Sequence, residues 1–321
     1  ALKIRSDNFD KDHSSIAATY TNLGNVYFTL GDYHKAMDYF QSALGISINV
    51  FGEEHPAVAT NYNNLGSVLN ELGAHYKALE YYNRSLRIRL KIFPKIHPHI
   101  ASNYNNIGIV YDILGAFEPG NYKKALESYQ KALDIDNVLF GEDHPYVAMG
   151  YNNMGIVYEE MASLSHNKEY YYKAMKLFEQ AIDIRLKTIG DEHFFVASCY
   201  TNIGNVLCGL SDYDNAIEFH NKAILIYKKA LGSQHALIGA AYNTLAQVYS
   251  EQQKYAKCTA NYQQALNALV EGFEEKDIYM NPQIYFSRES HLPSSIIKVK
   301  SMTNLLDTLI GKAIAMEQSQ K

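Results

Sequence analysis

Apolar and small residues recur along the chain in two alternating sets, each with the spacing of a helix. In residues 62–72 the first set comprises Tyr62, Leu65, Gly66, Leu69 and Leu72. After a turn that contains glycine, the second set follows at Ala78, Tyr82, Ser85, Leu86 and Arg89. Together the two sets predict a helical hairpin.

The same pattern returns at a spacing of about 42 residues or slightly more, which predicts an array of stacked hairpins. The smallest residues keep one position in each helix, at Gly24, Gly66, Gly108, Gly155 and Gly204 and at Ala36, Ala78, Ala125, Ala174 and Ala216. Because glycine weakens a helix by about 1 kcal/mol relative to alanine, its recurrence needs a packing reason. We therefore expect the two helices of each hairpin to cross closely at these positions.

The motif resembles the tetratricopeptide repeat. The residues that carry the resemblance in the first hairpin are Tyr20, Leu23, Gly24, Tyr27, Gly31, Asp32, Tyr33, Ala36, Phe40 and Ala43, and the motif recurs six times over residues 17–269. The long period and the junctions FGEEHPAVA and FGEDHPYVA are similar to the subclass found in kinesin light chains. The resemblance implies an all-α fold, a right-handed α-solenoid (α-α superhelix) of helical hairpins.

The chain divides on this pattern into an array and a tail. We predict the end of a truncated repeat over residues 1–16, six repeats over residues 17–270 (17–58, 59–100, 101–147, 148–196, 197–238 and 239–270), an extended linker over residues 271–293 and a capping helix over residues 294–318. The apolar face of that helix should include Leu305, Leu309 and Ala313. Since residues 278–286 alternate apolar with polar positions, we also consider that this segment folds back into the groove of the array.

Polar residues mark the face that such repeats turn toward their concave groove. The resemblance places on that face Asn63, Asn105, Asn152 and Asn243, together with Asn25, Asn70, Asp112, Glu159, Asn205 and Gln247. An amide both donates and accepts, so a row of amides can hold the backbone of a bound segment without demanding a particular side chain. We predict these ten residues as the partner-binding site.

A second row of asparagines follows the first by one residue, at Asn22, Asn64, Asn106, Asn153 and Asn202. Asparagine is a middling helix former, so something must compensate its presence there. The family resemblance implies a structural role, in which each side chain bonds the backbone of the preceding repeat.

Histidines share one position at the junctions between repeats, at His13, His55, His97, His144, His193 and His235. Stacked repeats would hold these rings about 10 Å apart, too far for a shared zinc ion with ligands at about 2 Å. We expect them to close one helix and start the next, and we predict no metal site.

Composition narrows the function classes. The net charge is −5, with 29 basic and 34 acidic residues, so no basic surplus favours nucleic acid. No apolar run reaches the length of about 18 residues that a membrane span needs. Three cysteines without metal-type spacing are typical of reduced thiols, which favours a cytoplasmic location.

The sequence contains no motif that indicates catalysis. The sequence contains no glycine-rich phosphate loop, nucleophile motif or metal-ligand spacing, so we predict neither an enzyme nor a cofactor. The charged residues near the predicted groove are acidic, at Glu71, Asp112, Glu159, Glu160 and Glu251. By charge complementarity the ligand should be neutral or basic rather than acidic.

Two functions follow from these observations. The first is a protein-protein interaction scaffold that binds a peptide or helix of a partner protein in the concave groove. The alternative is a regulatory or sensor segment of a larger effector, such as a bacterial protease or nucleotide hydrolase, that contacts other domains of its parent. Residues 1–5 resemble the end of a second helix, from which we expect a fragment of a longer protein.

Overall fold

The computed structural model describes residues 14–270, 273, 277 and 302–319. The predicted repeat end at residues 1–13, most of the predicted linker and the start of the predicted capping helix lie outside these residues, as does the segment 278–286. The chain divides into two compact units, with a boundary between Met161 and Ala162. Each unit is described by itself.

The first unit consists of successive helices that pack on their neighbours. Their bounds are α1 Ser14–Thr29, α2 Tyr33–Phe51, α3 Pro56–Glu71, α4 His75–Ile92, α5 Pro98–Gly115 and α6 Gly120–Phe140, followed by most of α7 Pro145–Ser165. The pairs α1/α2, α3/α4 and α5/α6 form hairpins, and α2 and α4 also pack against the helices that follow them.

The second unit continues the pattern. Its helices are α8 Lys168–Ile189, α9 Phe194–Gly209, α10 Tyr213–Leu231, α11 Ala236–Glu251, α12 Tyr255–Leu269 and α13 Met302–Ser319. The pairs α9/α10 and α11/α12 form hairpins, and α13 packs against α12 and α11.

Glycine marks the closest approach within a hairpin, as the sequence predicted. A Cβ atom at Gly66 would lie 2.8 Å from the ring of Tyr82, and one at Gly24 would lie 2.5 Å from the ring of Phe40. Real Cβ atoms do not come this close, so a larger residue would push the helices apart. The glycine therefore faces an aromatic ring four residues after the recurring alanine of the second helix, and not the alanine itself.

Histidine caps the N-terminus of five helices. The His55 Nδ1 accepts a hydrogen bond from the backbone N–H of Ala57 at 3.2 Å, and Pro56 takes the first helical turn. The same cap forms at His97, His144, His193 and His235. The His55 ring also stacks on Phe51, with the centroids 4.1 Å apart. The expected helix-starting role of these histidines is confirmed.

A buried arginine joins one hairpin to the next at two junctions. In the first unit Arg89 is 4% exposed, and its Nη1 donates to the His99 carbonyl and to the Asn103 Oδ1, both at 2.7 Å. Ser85 bonds the same Asn103 oxygen at 2.9 Å. Burial lowers the pKa of Arg89 to about 10, but the group stays charged at neutral pH and satisfies its acceptors.

The second unit repeats this arrangement at Arg185. Its Nη1 donates to the Phe195 carbonyl at 2.7 Å and approaches the Cys199 Sγ at 3.0 Å. The guanidinium also lies 5.2 Å from the centre of the Phe195 ring. The acceptors lie 10 and 14 residues after the arginine in both units, so the two junctions have the same hydrogen-bond pattern.

Helix α13 stands where the first helix of a further hairpin would stand. Leu305 joins Leu269 in one apolar cluster, and the Lys312 Nζ donates to the Gln263 Oε1 at 2.5 Å. Lys312 is buried whereas Ala313 is exposed. The prediction that Ala313 belongs to the buried face was therefore wrong, because α13 follows the register of a first helix and turns Lys312 inward.

Candidate partner-binding groove

Hydrogen bonds between asparagines run from one hairpin to the next. The Asn106 Nδ2 donates to the Asn63 Oδ1 at 3.2 Å, and the Asn153 Nδ2 donates to the Asn105 Oδ1 at 3.0 Å. All four side chains are half-buried. We call these four residues the amide ladder, and they all belong to the first unit.

The ladder corrects one interpretation of the sequence. Asn106 and Asn153 were expected to bond the backbone of the preceding repeat, but each bonds a side chain. The asparagine one position earlier in the preceding hairpin faces them and supplies the oxygen. The two rows therefore have different roles, because the later row donates and the earlier row accepts.

This pairing fixes which part of Asn63 and Asn105 remains for a ligand. The Oδ1 of each is occupied, and the Nδ2 group of each makes no hydrogen bond to any residue that the structure describes. A free amide N–H donates to a carbonyl oxygen. Asn63 and Asn105 can thus present oriented donors to the backbone of a bound segment.

Two other predicted groove residues are buried. Asn152 and Asn243 are each 8% exposed. The Asn243 Oδ1 accepts from the Thr308 Oγ1 of α13 at 2.7 Å, just as Asn63 accepts from Asn106. Helix α13 therefore covers the row of asparagines at that end, and Asn243 lies beneath a helix of its own chain.

The remaining amides of the predicted site differ from one another. Asn25 and Gln247 are exposed. Asn70 is half-buried and shares a 3.0 Å hydrogen bond with the His75 Nδ1. The Oδ1 of the half-buried Asn205 is enclosed without a hydrogen-bond partner among the described residues. No described hydrogen bond connects these four residues to the amide ladder.

Three carboxylates lie on the helices that carry the ladder, about two turns after its asparagines, at Asp112 on α5 and at Glu159 and Glu160 on α7. Burial, with a smaller contribution from the negative charge of Glu160, raises the pKa of both Asp112 and Glu159 to about 7. Burial also raises the pKa of Glu160, which accepts a hydrogen bond from Tyr122. Within the described part of the chain neither Asp112 nor Glu159 has a cationic partner, so a positively charged ligand would find uncompensated acids here.

One residue of the first unit that lines a cavity was not predicted from the sequence. Asp136 is 7% exposed and lines a cavity that Asn105 also lines. Asp136 follows a buried alanine by four residues. Arg89 follows Ser85, and Arg185 follows Ala181, by the same four residues. A charge reversal at a repeated position was the signal that could have identified it.

The comparison with family models identifies the fold family. A model of the tetratricopeptide repeat matches residues 15–91, 58–119, 117–165 and 196–269, and a second model of that repeat matches residues 151–188. This chain belongs to the tetratricopeptide repeat family. The family assignment and the described helices together confirm the predicted class, an all-α helical repeat solenoid.

Solved structures show the same fold at low identity. Nearly identical tetratricopeptide-like repeats of kinesin light chain type from Podosopora anserina match with a TM-score of 0.55 and 18% identity, covering 68% of this chain and 97% of that one. BtubC (BKLC) from P. vanneervenii matches with a TM-score of 0.56 and 19% identity, covering 83% of this chain and 97% of that one. The resemblance to kinesin-light-chain-like repeats is thereby confirmed.

A third structure belongs to a larger protein. It is a signal transduction ATPase with numerous domains and a tetratricopeptide repeat sensor, from Pyrococcus horikoshii, with a TM-score of 0.60 and 17% identity, covering 83% of this chain and 38% of that one. The comparison with curated proteins gave no match. Among the helices described here, none combines the length and the apolar character that crossing a membrane requires.

Proposed function

We propose that the chain is a protein-interaction scaffold, which binds a peptide segment or helix of a partner protein along the amide ladder. The observation that carries this proposal is the orientation of Asn63 and Asn105. Their oxygens are held by Asn106 and Asn153, and their N–H groups remain available. Donors fixed in advance lose little conformational entropy on binding, which favours affinity.

The charge of the ladder's surroundings sets the chemistry of the ligand. Asp112, Glu159 and Glu160 lie on the same helices as the ladder and have no cationic partner among the described residues, so a basic segment would relieve their mutual repulsion and an acidic segment would add to it. The net charge of −5 favours a protein partner over a nucleic acid. None of the three cysteines forms a disulfide bond, which suits the reducing cytoplasm that we infer as the location.

The test uses a random library of twelve-residue peptides selected on the full chain. The selected peptides are then synthesised and titrated calorimetrically against Asn63→Asp and Asn105→Asp. Aspartate keeps the oxygen that Asn106 or Asn153 needs but replaces the outward N–H donor with an oxygen. A carboxylate that faces a peptide carbonyl should weaken binding at least about tenfold.

A matched control separates the loss of the donor from the added charge. Gln41→Glu makes the same amide-to-acid change at an exposed position of α2, away from the ladder. It should leave the affinity within about twofold. Equal affinities of the wild type, Asn63→Asp and Asn105→Asp for every selected peptide would contradict binding along the ladder.

A second candidate is a sensor segment of a larger effector. It is motivated by the fold-level likeness to a signal transduction ATPase that carries a tetratricopeptide repeat sensor. Sequencing the gene on both sides of the region that encodes this chain tests it. A neighbouring nucleotide-hydrolysing or protease domain in the same reading frame supports this role, and a reading frame without such a domain contradicts it.

A further inference from the structure

A cavity of about 320 Å³ opens between α5, α6 and α7 of the first unit. Its wall includes His99, Ser102, Asn105, Asp136, Phe140 and Tyr146. The volume falls in the range of about 300–1,000 Å³ that is typical of small-ligand pockets. We call this space the Asp136 cavity.

The Asp136 side chain is largely buried, and its carboxyl group has no partner among the described residues. The residue is 7% exposed and makes no hydrogen bond or ion pair with any residue that the structure describes. Burial of a carboxylate without a partner is costly, and here it raises the pKa of Asp136 to about 6. His99 does not compensate the charge, because burial and the nearby Arg89 lower the pKa of that histidine and favour its neutral form.

The two arginine junctions show what the same position accepts elsewhere. Arg89 and Arg185 each donate to a backbone carbonyl 10 residues later and to a side chain 14 residues later. Counted from Asp136, those positions are Tyr146, which has a carbonyl, and Gly150, which has no side chain. This junction therefore lacks the guanidinium and presents acceptors in its place.

We propose that the Asp136 cavity receives an arginine side chain of a partner peptide, whose guanidinium pairs with Asp136 where Arg89 and Arg185 stand at two other junctions. The inference rests on the proposed function, and it names a side chain of the ligand. Asn105 belongs both to the ladder and to the cavity wall. A peptide bonded to Asn105 can therefore insert a neighbouring side chain into the cavity.

The mouth of the cavity fits arginine better than lysine. The rings of Phe140 and Tyr146 are partly exposed there, with their centroids 5.5 Å apart. A planar guanidinium stacks on aromatic faces and donates two parallel hydrogen bonds to a carboxylate, whereas an ammonium is a compact point charge. We therefore expect lysine to replace arginine only with loss of affinity.

The test uses the library-selected peptides and their citrulline analogues, since citrulline keeps the shape of arginine but removes its charge. Selected peptides should be enriched in arginine. Changing that arginine to citrulline should weaken binding to the wild type at least about tenfold, and Asp136→Asn should weaken binding of the arginine peptide similarly. The citrulline peptide should bind the wild type and Asp136→Asn alike, because only the charge pair couples the two changes.

A stability measurement and one further variant keep these outcomes interpretable. Asp136→Asn removes an unpaired charge, so its melting temperature should not fall. Asp136→Arg supplies a guanidinium from the chain itself and should exclude the peptide arginine, again with at least about a tenfold loss of affinity. Selected peptides without arginine, or equal affinities of arginine and citrulline peptides, overturn the inference.

The same titrations separate this inference from the proposed function. If Asn63→Asp weakens binding and Asp136→Asn does not, the ladder binds peptides and the arginine pocket is wrong. If Asp136→Asn weakens binding and Asn63→Asp does not, the arginine pocket is supported and the ladder is wrong. A library that yields no peptide above background overturns both.

Discussion

The Arg89 and Asp136 junctions occupy the same place in successive hairpins but carry opposite charges. At the first, a guanidinium of the chain satisfies a carbonyl and an amide oxygen. At the second, a carboxylate faces a cavity and has no partner among the described residues. The difference teaches that one position of a repeat can serve either stability or binding, because a group that is already satisfied has little to offer a ligand.

We expect the largest change in stability when the guanidinium of the Arg89 junction is removed. Arg89→Ala removes two charge-assisted hydrogen bonds and leaves the His99 carbonyl and Asn103 short of a donor. We expect a loss of about 3 kcal/mol in the free energy of unfolding, measured by urea denaturation. The control is Arg87→Ala, an exposed position on the same helix, which should cost less than about 0.5 kcal/mol. Equal losses in the two variants would contradict a special role for Arg89.

At the Asp136 junction we expect a substitution to raise the stability of the fold rather than lower it. Because the pKa of Asp136 is raised to about 6 in the folded chain, the contribution of this carboxyl group to the stability falls as pH rises from about 4 to 6, and the loss remains above pH 6. Asp136→Asn should therefore be more stable than the wild type by about 1–2 kcal/mol at pH 7.5 and nearly equal to it at pH 4. Thermal melts at the two pH values measure this.

A control on the same helix completes that experiment. Asp134 is exposed on α6, and Asp134→Asn should shift the melting temperature little at either pH. A loss of stability in Asp136→Asn at pH 7.5 would mean that the carboxylate stabilises the fold, and it would erase the contrast with Arg89.

Binding should depend on pH in the sense set by the acids. Asp136 titrates near 6, and Asp112 and Glu159 near 7, so all three lose negative charge as pH falls from 8 to 5.5. We expect the affinity for an arginine peptide to fall about tenfold over this range, measured by calorimetry. In Asp136→Asn the dependence should be weaker. A pH-independent affinity would argue that the carboxylates do not contact the ligand.

We expect the smallest change in stability from a substitution that makes the Arg185 junction resemble the Arg89 junction. Arg89 has an amide oxygen as its second acceptor, whereas Arg185 has the Cys199 sulfur. Since sulfur is the weaker acceptor, Cys199→Asn should stabilise the second unit by about 0.5–1 kcal/mol in urea denaturation. The same change in an Arg185→Ala background should give no gain, and a gain of equal size there would show that the asparagine acts independently of the guanidinium.

The helical pattern was predictable because hairpins follow from local spacing. Gly66 could be placed at a close crossing from its recurrence alone. The partners of Asn106 and Asn153 could not, because a bond between residues in different hairpins depends on how the hairpins stack. Lys312 was missed for a related reason, since an apolar pattern does not anticipate a lysine that Gln263 satisfies inside the chain.

Only the charge of the Asp136 cavity, and not the cavity itself, could be predicted from the sequence. The row Ser47, Arg89, Asp136, Arg185 and Tyr227 recurs at a fixed distance after a buried small residue, so the charge reversal could have been read from it. The shape and the volume of the cavity depend on the placement of Phe140 and Tyr146 in its wall. These are properties of packing that no single position reveals.

The central claim is that a partner segment binds to the free amide donors of Asn63 and Asn105. The most direct measurement is an NMR titration of the ¹⁵N-labelled chain with a library-selected peptide, which follows the side-chain amide signals and assigns them with single Asn→Asp variants. We predict that the Asn63 and Asn105 signals shift with saturation, while the signal of Asn243, covered by α13, stays in place. Saturable binding that leaves the Asn63 and Asn105 signals unmoved would contradict the account.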